Sequence, residues 1–145
     1  MTWQPAIVMM TGLFAAIASG AEDVESETKK IQGTWVLAST ESDGKAVASE
    51  SLKGREVRLV FEDDRVIARM GEKSVSLGTF KLDPSRTPRW YDRIYSDDSL
   101  RRGIYRLEGD SLTICLAGIG KDRPTAFGTK QGDGLSLLVY KREKP

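Results

Sequence analysis

The sequence lacks histidine and asparagine entirely, and it carries one cysteine, Cys115, in 145 residues. Without an imidazole, no Ser-His or Cys-His pair and no histidine-ligated metal centre can form. The missing asparagine excludes Asn-linked glycosylation, and a lone cysteine excludes an intrachain disulfide and a four-cysteine zinc site. Because Cys115 stands between two apolar residues, we interpret it as a packing residue rather than a reactive thiol.

An excess of either charge sign is also absent, because 22 Lys and Arg residues face 21 Asp and Glu residues. This balance gives no electrostatic reason to bind nucleic acid or an anionic membrane surface. The length suits one domain with its own core. We therefore expect a monomeric single domain with no nucleic-acid partner, no metal and no cofactor.

Long apolar runs are scarce, and the one that stands out covers residues 6–17 without a charged side chain. It is shorter than the roughly 20 residues of a membrane span. Small residues follow at 18–21 and acidic ones begin at Glu22. This order predicts a signal peptide over 1–21, a mature domain over 22–145 and no membrane span after cleavage, with an uncleaved anchor as the alternative. The predicted location is secreted or periplasmic, in the cell envelope.

The rest of the chain shows a short charged segment at 22–32 that fits a helix, followed by alternating apolar residues and turns. Gly78 marks a change of phase in one strand and predicts a β-bulge. The tight turns at 63–64 and 109–110 favour up-and-down neighbours. Eight strands are predicted, at 34–40, 56–62, 65–70, 74–82, 90–96, 103–107, 111–116 and 135–142. Such a pattern predicts an all-β antiparallel barrel or sandwich.

Motifs that would carry catalysis or phosphate binding are incomplete. The Gly-rich stretch 118–122 lacks the first glycine and the Ser or Thr of a P-loop. Ser-x-x-Lys spacing occurs at Ser26 in a charged terminus and at Ser42 in a turn, without companion motifs. The acidic pairs at 63–64 and 97–98 fit hairpin turns better than a calcium site. We expect no catalytic residue and no enzymatic activity.

The segment Gly33-Thr34-Trp35, which follows the predicted helix, resembles the opening motif of lipocalin-like barrels. The resemblance implies that glycine lets the chain bend into the barrel and that the indole closes one end. It also implies a basic side chain from the last strand lying across that ring. Lys141 and Arg142 are the candidates, and we take Gly33, Trp35 and Arg142 as the barrel-closing motif.

The similarity extends over roughly residues 31–142 and identifies the chain as resembling a small lipocalin-like domain family of planctomycete bacteria. It is carried in order by the blocks at 31–35, 43–45, 52–54, 78–84, 103–112, 115–116, 123–127 and 137–142. The resemblance implies an up-and-down barrel of about eight strands with a short N-terminal helix and an export signal, and no established activity. At Tyr91-Asp92-Arg93 charges replace a more apolar strand of that family, which puts a dry interior there in question.

Three hypotheses for function follow. The first is an exported, non-enzymatic domain that binds a small apolar ligand in the barrel, since an eight-strand barrel can be filled by side chains or hold one small ligand. Its candidate pocket-lining residues are Phe61, Phe80, Trp90 and Tyr105. The second is a protein-interaction or inhibitor module that presents loops 83–89 and 117–134 to an envelope protein. The third is a hydrolase that works through a pair of carboxylates.

Overall fold

The computed structural model of the chain describes residues 20–48 and 56–144. Within these ranges the chain forms one helix and nine strands. Their bounds are α1 Gly20–Ile31, β1 Gly33–Ser42, β2 Lys45–Ala48, β3 Val57–Glu62, β4 Arg65–Met70, β5 Lys73–Asp83, β6 Arg89–Ile94, β7 Leu100–Glu108, β8 Ser111–Ile119 and β9 Ser136–Arg142.

The strands form one antiparallel sheet that closes on itself. From β3 to β9 each strand pairs with the next one in the chain, and β1 pairs with both β3 and β9. The closing pairs run from Trp35 opposite Arg142 to Ser42 opposite Ser136. The predicted up-and-down barrel of eight strands is confirmed, and closure excludes the sandwich alternative.

One strand lies outside this closed ring. The first half of β1 pairs with β3, whereas Ser39–Ser42 pair with β2 across a two-residue turn. We did not predict β2, because the four residues of Lys45–Ala48 contain no alternation that would mark a strand. The sequence also allows a helical turn at 49–54, and those residues lie outside the described ranges.

The two ends of the barrel differ. At the lower end lie α1, the β3–β4 turn and the β7–β8 turn; at the upper end lie the β1–β2 turn, the β4–β5 turn and the long loop from 120 to 135. The core fills the lower half, where Phe61 and Phe80 meet edge to face with ring centroids 4.9 Å apart. Its buried members are Ile31, Trp35, Leu59, Phe61, Val66, Phe80, Leu82, Tyr91, Tyr105, Leu112, Ile114, Leu116 and Tyr140.

The predicted bulge at Gly78 is present in β5. The register between β4 and β5 shifts there, and Gly78 has a φ of +92°. A Cβ atom at this position would lie 2.0 Å from the carbonyl oxygen of Ile94, so the backbones approach too closely for any other residue. The bulge lets Leu77 and Phe80 both face the interior despite their opposite parity in the sequence.

Candidate functional site

The lower end of the barrel is closed by Trp35, which is fully buried. Its indole Nε1 donates a hydrogen bond of 2.8 Å to the carbonyl oxygen of Ile31, the last residue of α1. The guanidinium carbon of Arg142 lies 4.2 Å from the ring centroid. Gly33, with a φ of +114°, makes the bend between helix and strand. The structure thus places the three residues of the barrel-closing motif together.

Arg142 also holds the end of the helix. Its guanidinium donates to the carbonyl oxygens of Lys30 and Gln32, which helix geometry leaves without partners inside the helix. The side-chain amide of Gln32 in turn exchanges two hydrogen bonds with the backbone of Asp63. The neighbouring Lys141 points outward and donates to Ser111. The helix is therefore fastened under the barrel by the last strand and by the β3–β4 turn.

A buried carboxylate in the middle of α1 binds the helix to β6. Glu27 is 8% exposed, and its Oε1 accepts a 2.7 Å hydrogen bond from Nη1 of Arg89. Tyr105 lies beside this pair, and burial, followed by the negative charge of Glu27, raises the pKa of its phenol. This ion pair ties α1 to β6 at the lower end of the barrel.

The predicted pocket-lining residues fall into two groups. Phe61, Phe80 and Tyr105 are buried inside the barrel, where they belong to the core of the lower half. The prediction for Trp90 is wrong, because it points outward between the guanidinium groups of Arg86 and Arg123, 4.2 and 4.0 Å from the ring centroid. The reason is strand alternation: since the adjacent Tyr91 faces the core, Trp90 must face away from it.

Above this core the barrel interior opens to solvent. Residues directly opposite each other on antiparallel strands share a face, so the register identifies the inward-facing positions. Apolar side chains that remain partly exposed, although they face inward, include Leu37, Val57, Met70, Val75, Leu77 and Leu138. Met70 is 51% exposed and Val75 is 50% exposed. We call the space between these six side chains the upper cavity.

Two arginines lie at the base of the upper cavity. Arg93 and Arg101 stand directly opposite each other on β6 and β7, on the face that Tyr91 shares. Arg93 is only 4% exposed, and its Nε and Nη2 donate to the Tyr91 hydroxyl over 3.2 and 3.0 Å. Arg101 uses Nε to donate to the carbonyl oxygen of Ala117 over 2.7 Å. The interior therefore contains two guanidinium groups just above its aromatic core.

Phenols surround these arginines and respond to their charge. Burial alone would raise the pKa of the Tyr95 phenol, but the guanidinium groups of Arg101 and Arg93 lower it below its ordinary value. For Tyr140, burial raises the pKa to about 12 despite the same two charges. For Arg93, burial works to lower the pKa, and the neighbouring phenols, Tyr91 first, more than offset this effect and raise it. The cluster places two guanidinium groups and their phenol neighbours directly above the aromatic core.

The described strands place no carboxylate in this interior. Their inward-facing positions carry alkyl, aromatic, hydroxyl and guanidinium groups and the ammonium group of Lys73, which lies opposite Met70. No Asp or Glu of the described residues pairs with Arg93 or Arg101. The acid next to Arg93 in sequence, Asp92, faces outward and pairs with Arg123 over 2.7 Å. In the described residues, no group of three or more Cys, Asp or Glu is placed to hold a metal ion.

The rim of the upper cavity is held by hydrogen bonds between β1–β2 and the long loop. Glu41 accepts from both the backbone and the hydroxyl of Thr129, at 2.9 and 2.8 Å. Gly132 donates to the carboxylate of Asp43 over 3.0 Å. The same loop covers Cys115 on the outside of the barrel, where burial raises the pKa of the thiol. These contacts give the mouth a defined edge along one side.

Comparison with known proteins gives neither a family nor a function for the chain. No family model matches the chain, and no curated protein matches it. Among solved structures, the chain is similar to a mutant of the fluorescent protein UnaG, with 15% identity and a TM-score of 0.41. The alignment covers 81% of this chain and 99% of that one. No helix in the described residues is long and apolar enough to cross a membrane. Its own strand order and closure make the chain an up-and-down antiparallel β-barrel of eight strands, the architecture that lipocalins also have.

Proposed function

We propose that this chain is an exported, non-enzymatic binding protein that holds a small apolar ligand in the upper cavity. The observation that carries the proposal is the exposure of inward-facing alkyl side chains, above all Met70 and Val75. Contact between apolar side chains and water is unfavourable in free energy, and a ligand that covers these side chains removes that cost. The barrel mouth is a common place for such a site.

The non-enzymatic part of the proposal rests on the chemistry at the site. Phenols, guanidinium groups, alkyl side chains and the solvent-exposed ammonium of Lys73 line the interior. The sequence offers no imidazole to move a proton near neutral pH. A hydrolase that works through carboxylates would need two of them facing a substrate. A screen of ester, glycoside and phosphate substrates is expected to give turnover no faster than the buffer blank.

The exported part of the proposal rests on residues 1–21, with their apolar run and small residues before Glu22. The test is the N-terminal sequence of the protein recovered from a cell-envelope or culture-medium fraction. A start near residue 21 or 22 supports export with cleavage. Recovery of the intact chain in the cytoplasmic fraction would contradict it.

Ligand binding is tested by titrating the protein with an uncharged lipophilic dye whose fluorescence rises on leaving water, such as Nile red. We expect saturable binding at one site. Val75→Trp, which places an indole in the mouth, is expected to weaken binding at least about tenfold. Ser74→Trp is the matched control, because Ser74 is exposed on the outer face of the same strand.

Unchanged affinity in Val75→Trp, or equal losses in the two variants, would contradict binding in the upper cavity. Absence of saturable binding by several uncharged lipophiles of different length would contradict the proposed function as a whole.

A second candidate function, binding of another protein by the long loop, is favoured by the way that loop is fixed. Arg123 pairs with Asp92, donates to the carbonyl oxygen of Gly103 over 2.7 Å and covers the ring of Trp90. An ordered loop loses less conformational entropy on binding. Co-purification of a stoichiometric partner from the envelope, lost in Arg123→Ala, would support this function; a protein that purifies alone would count against it.

A further inference from the structure

The arrangement of charge inside the barrel points to the chemical class of the ligand. We propose that Arg93 and Arg101, with Tyr95 beside them, bind the carboxylate of an amphipathic ligand whose apolar chain occupies the upper cavity. This inference rests on the proposed function, and it turns a site for apolar molecules in general into a site for anionic amphiphiles.

The first argument is the cost of a buried cation. Arg93 is only 4% exposed, and the group that accepts its hydrogen bonds is the neutral phenol of Tyr91 rather than a carboxylate. Moving a charged group out of water is expensive unless an opposite charge and hydrogen bonds compensate for it. Phenol oxygens supply part of the hydrogen bonding but no negative charge. An anion bound above Arg93 would supply the missing charge.

The second argument is the register of β6 and β7. Arg93 and Arg101 occupy directly opposite positions on one face, an arrangement that is destabilising for like charges. The described strands offer no inward-facing carboxylate to separate them. Two guanidinium groups that face one space are, however, well suited to share a carboxylate, because each presents a planar set of N–H donors.

The third argument is access. Arg101 is only partly buried; its Nε donates to the carbonyl oxygen of Ala117, and its guanidinium also hydrogen-bonds the Tyr95 phenol, a neutral group beside which a carboxylate can bind. The lower end is closed by Trp35 and α1, so a ligand must enter from the upper end. A head group at the arginines would then lie deepest, and the chain behind it would contact Leu37, Leu77 and Leu138 on its way to the mouth.

The test compares two fluorescent probes with the same chain, cis-parinaric acid and its methyl ester, bound to the full-length protein. We expect the acid to bind at least about tenfold more tightly, the value of one charge-assisted hydrogen bond. Arg101→Gln is expected to weaken the acid about tenfold and to change the affinity for the ester less than about twofold. Arg101→Lys, which keeps the charge, is expected to retain part of the preference.

Arg102→Gln is the matched control, since Arg102 lies next in the chain, faces outward and donates to the carbonyl oxygen of Lys121. It is expected to bind both probes like the wild type. If acid and ester bind equally to the wild type, or if Arg101→Gln and Arg102→Gln have the same effect, the carboxylate site is wrong while the apolar site stands. If neither probe binds, the proposed function fails, and the carboxylate site fails with it.

Discussion

At the scale of single residues, Trp35 and Arg93 occupy the same interior with opposite energetic effects. Trp35 buries a large apolar ring at the closed end and satisfies its one polar atom on Ile31. Arg93 buries a charge in an environment without a carboxylate among the described residues. Trp35 stabilises the fold, whereas the buried charge of Arg93 lowers its stability. We propose that Arg93 is present because it binds the ligand.

Trp35→Ala is expected to lower the free energy of unfolding by about 3–5 kcal/mol, because it leaves a cavity in a closed core and removes a hydrogen bond to α1. Trp90→Ala is the control on the outer face and is expected to cost only about 1–2 kcal/mol, the value of its two cation–π contacts. Urea unfolding of both variants measures the two losses in free energy. Similar losses would mean that Trp35 contributes no more to the stability of the core than the outward-facing Trp90 does.

The double variant Arg93→Met/Tyr91→Phe replaces a buried charge and its phenol partner by apolar groups of similar size. We expect the ligand-free protein to be at least as stable as the wild type, because buried charges replaced together with their partners cost little and often stabilise. The second substitution avoids leaving the Tyr91 hydroxyl without its donor. A loss of more than about 2 kcal/mol in urea unfolding would show that Arg93 serves the fold.

At the scale of secondary-structure elements, β5 shows how one residue sets which side chains reach the interior. Without the bulge at Gly78, the residues beyond it would change sides of the barrel wall. Leu77 and Phe80 face inward together only because the register shifts between them. The inner surface of the barrel therefore depends on a backbone conformation that glycine alone permits at this position.

Gly78→Ala is expected to cost more than about 3 kcal/mol, because the methyl group would overlap the Ile94 carbonyl at a φ of +92°. Gly71→Ala is the control: Gly71 also has a positive φ, of +61°, but open space around it. It is expected to cost only about 1 kcal/mol. Thermal unfolding compares them, and equal melting temperatures would contradict the role given to the bulge.

The sequence predicts most of the elements, because alternation and turn residues act locally. The bulge, the short helix and the hairpin turns all follow from such signals. The facing of Trp90 and Tyr91 could not be predicted, since both are aromatic and neighbours must face opposite sides. Tyr91 lies opposite Gly103, where a side chain would not fit, because a Cβ there would lie 2.7 Å from the Cys115 carbonyl oxygen. This close approach joins different strands, so the sequence around Tyr91 does not show it.

The pairing of Arg93 with Arg101 could not be predicted from the sequence for a related reason. The charges at Tyr91-Asp92-Arg93 were a sign that this strand departs from a dry interior, but the strand alone does not show which charge faces in. Arg101 precedes the start of the predicted strand, since that strand begins at Gly103 and β7 begins at Leu100. Only the register between β6 and β7 brings the two guanidinium groups together.

At the scale of the whole molecule, the barrel divides into a packed lower half and an open upper half. The packed half contains buried phenols whose ionisation couples the fold to alkaline pH. Since burial raises the pKa of Tyr140 to about 12, against about 10 in the unfolded chain, its contribution to stability is complete below pH 10. The unfolded chain alone releases this proton between about pH 10 and 12, so stability falls across that window.

Tyr140→Phe is expected to reduce the loss of unfolding free energy between pH 9 and pH 12 by up to about 3 kcal/mol, at about 1.4 kcal/mol for each pKa unit. Tyr95→Phe is the control: because the pKa of Tyr95 is lowered, its phenol opposes the alkaline loss, and removing it is not expected to reduce that loss. Urea unfolding at the two pH values measures it. An alkaline loss of the same size in Tyr140→Phe and the wild type would contradict the burial of that phenol.

The open half carries the central claim, and Met70 reports on it directly. Met70 faces inward at the mouth, is half exposed and is the one methionine after Met10. In protein labelled with ¹³C on the methionine methyl groups, with the signal assigned by Met70→Leu, an uncharged lipophile is expected to shift the Met70 resonance until it saturates at one equivalent. A Met70 resonance that stays unchanged while the lipophile binds, or the absence of any saturable binding, would contradict a ligand site in the upper cavity.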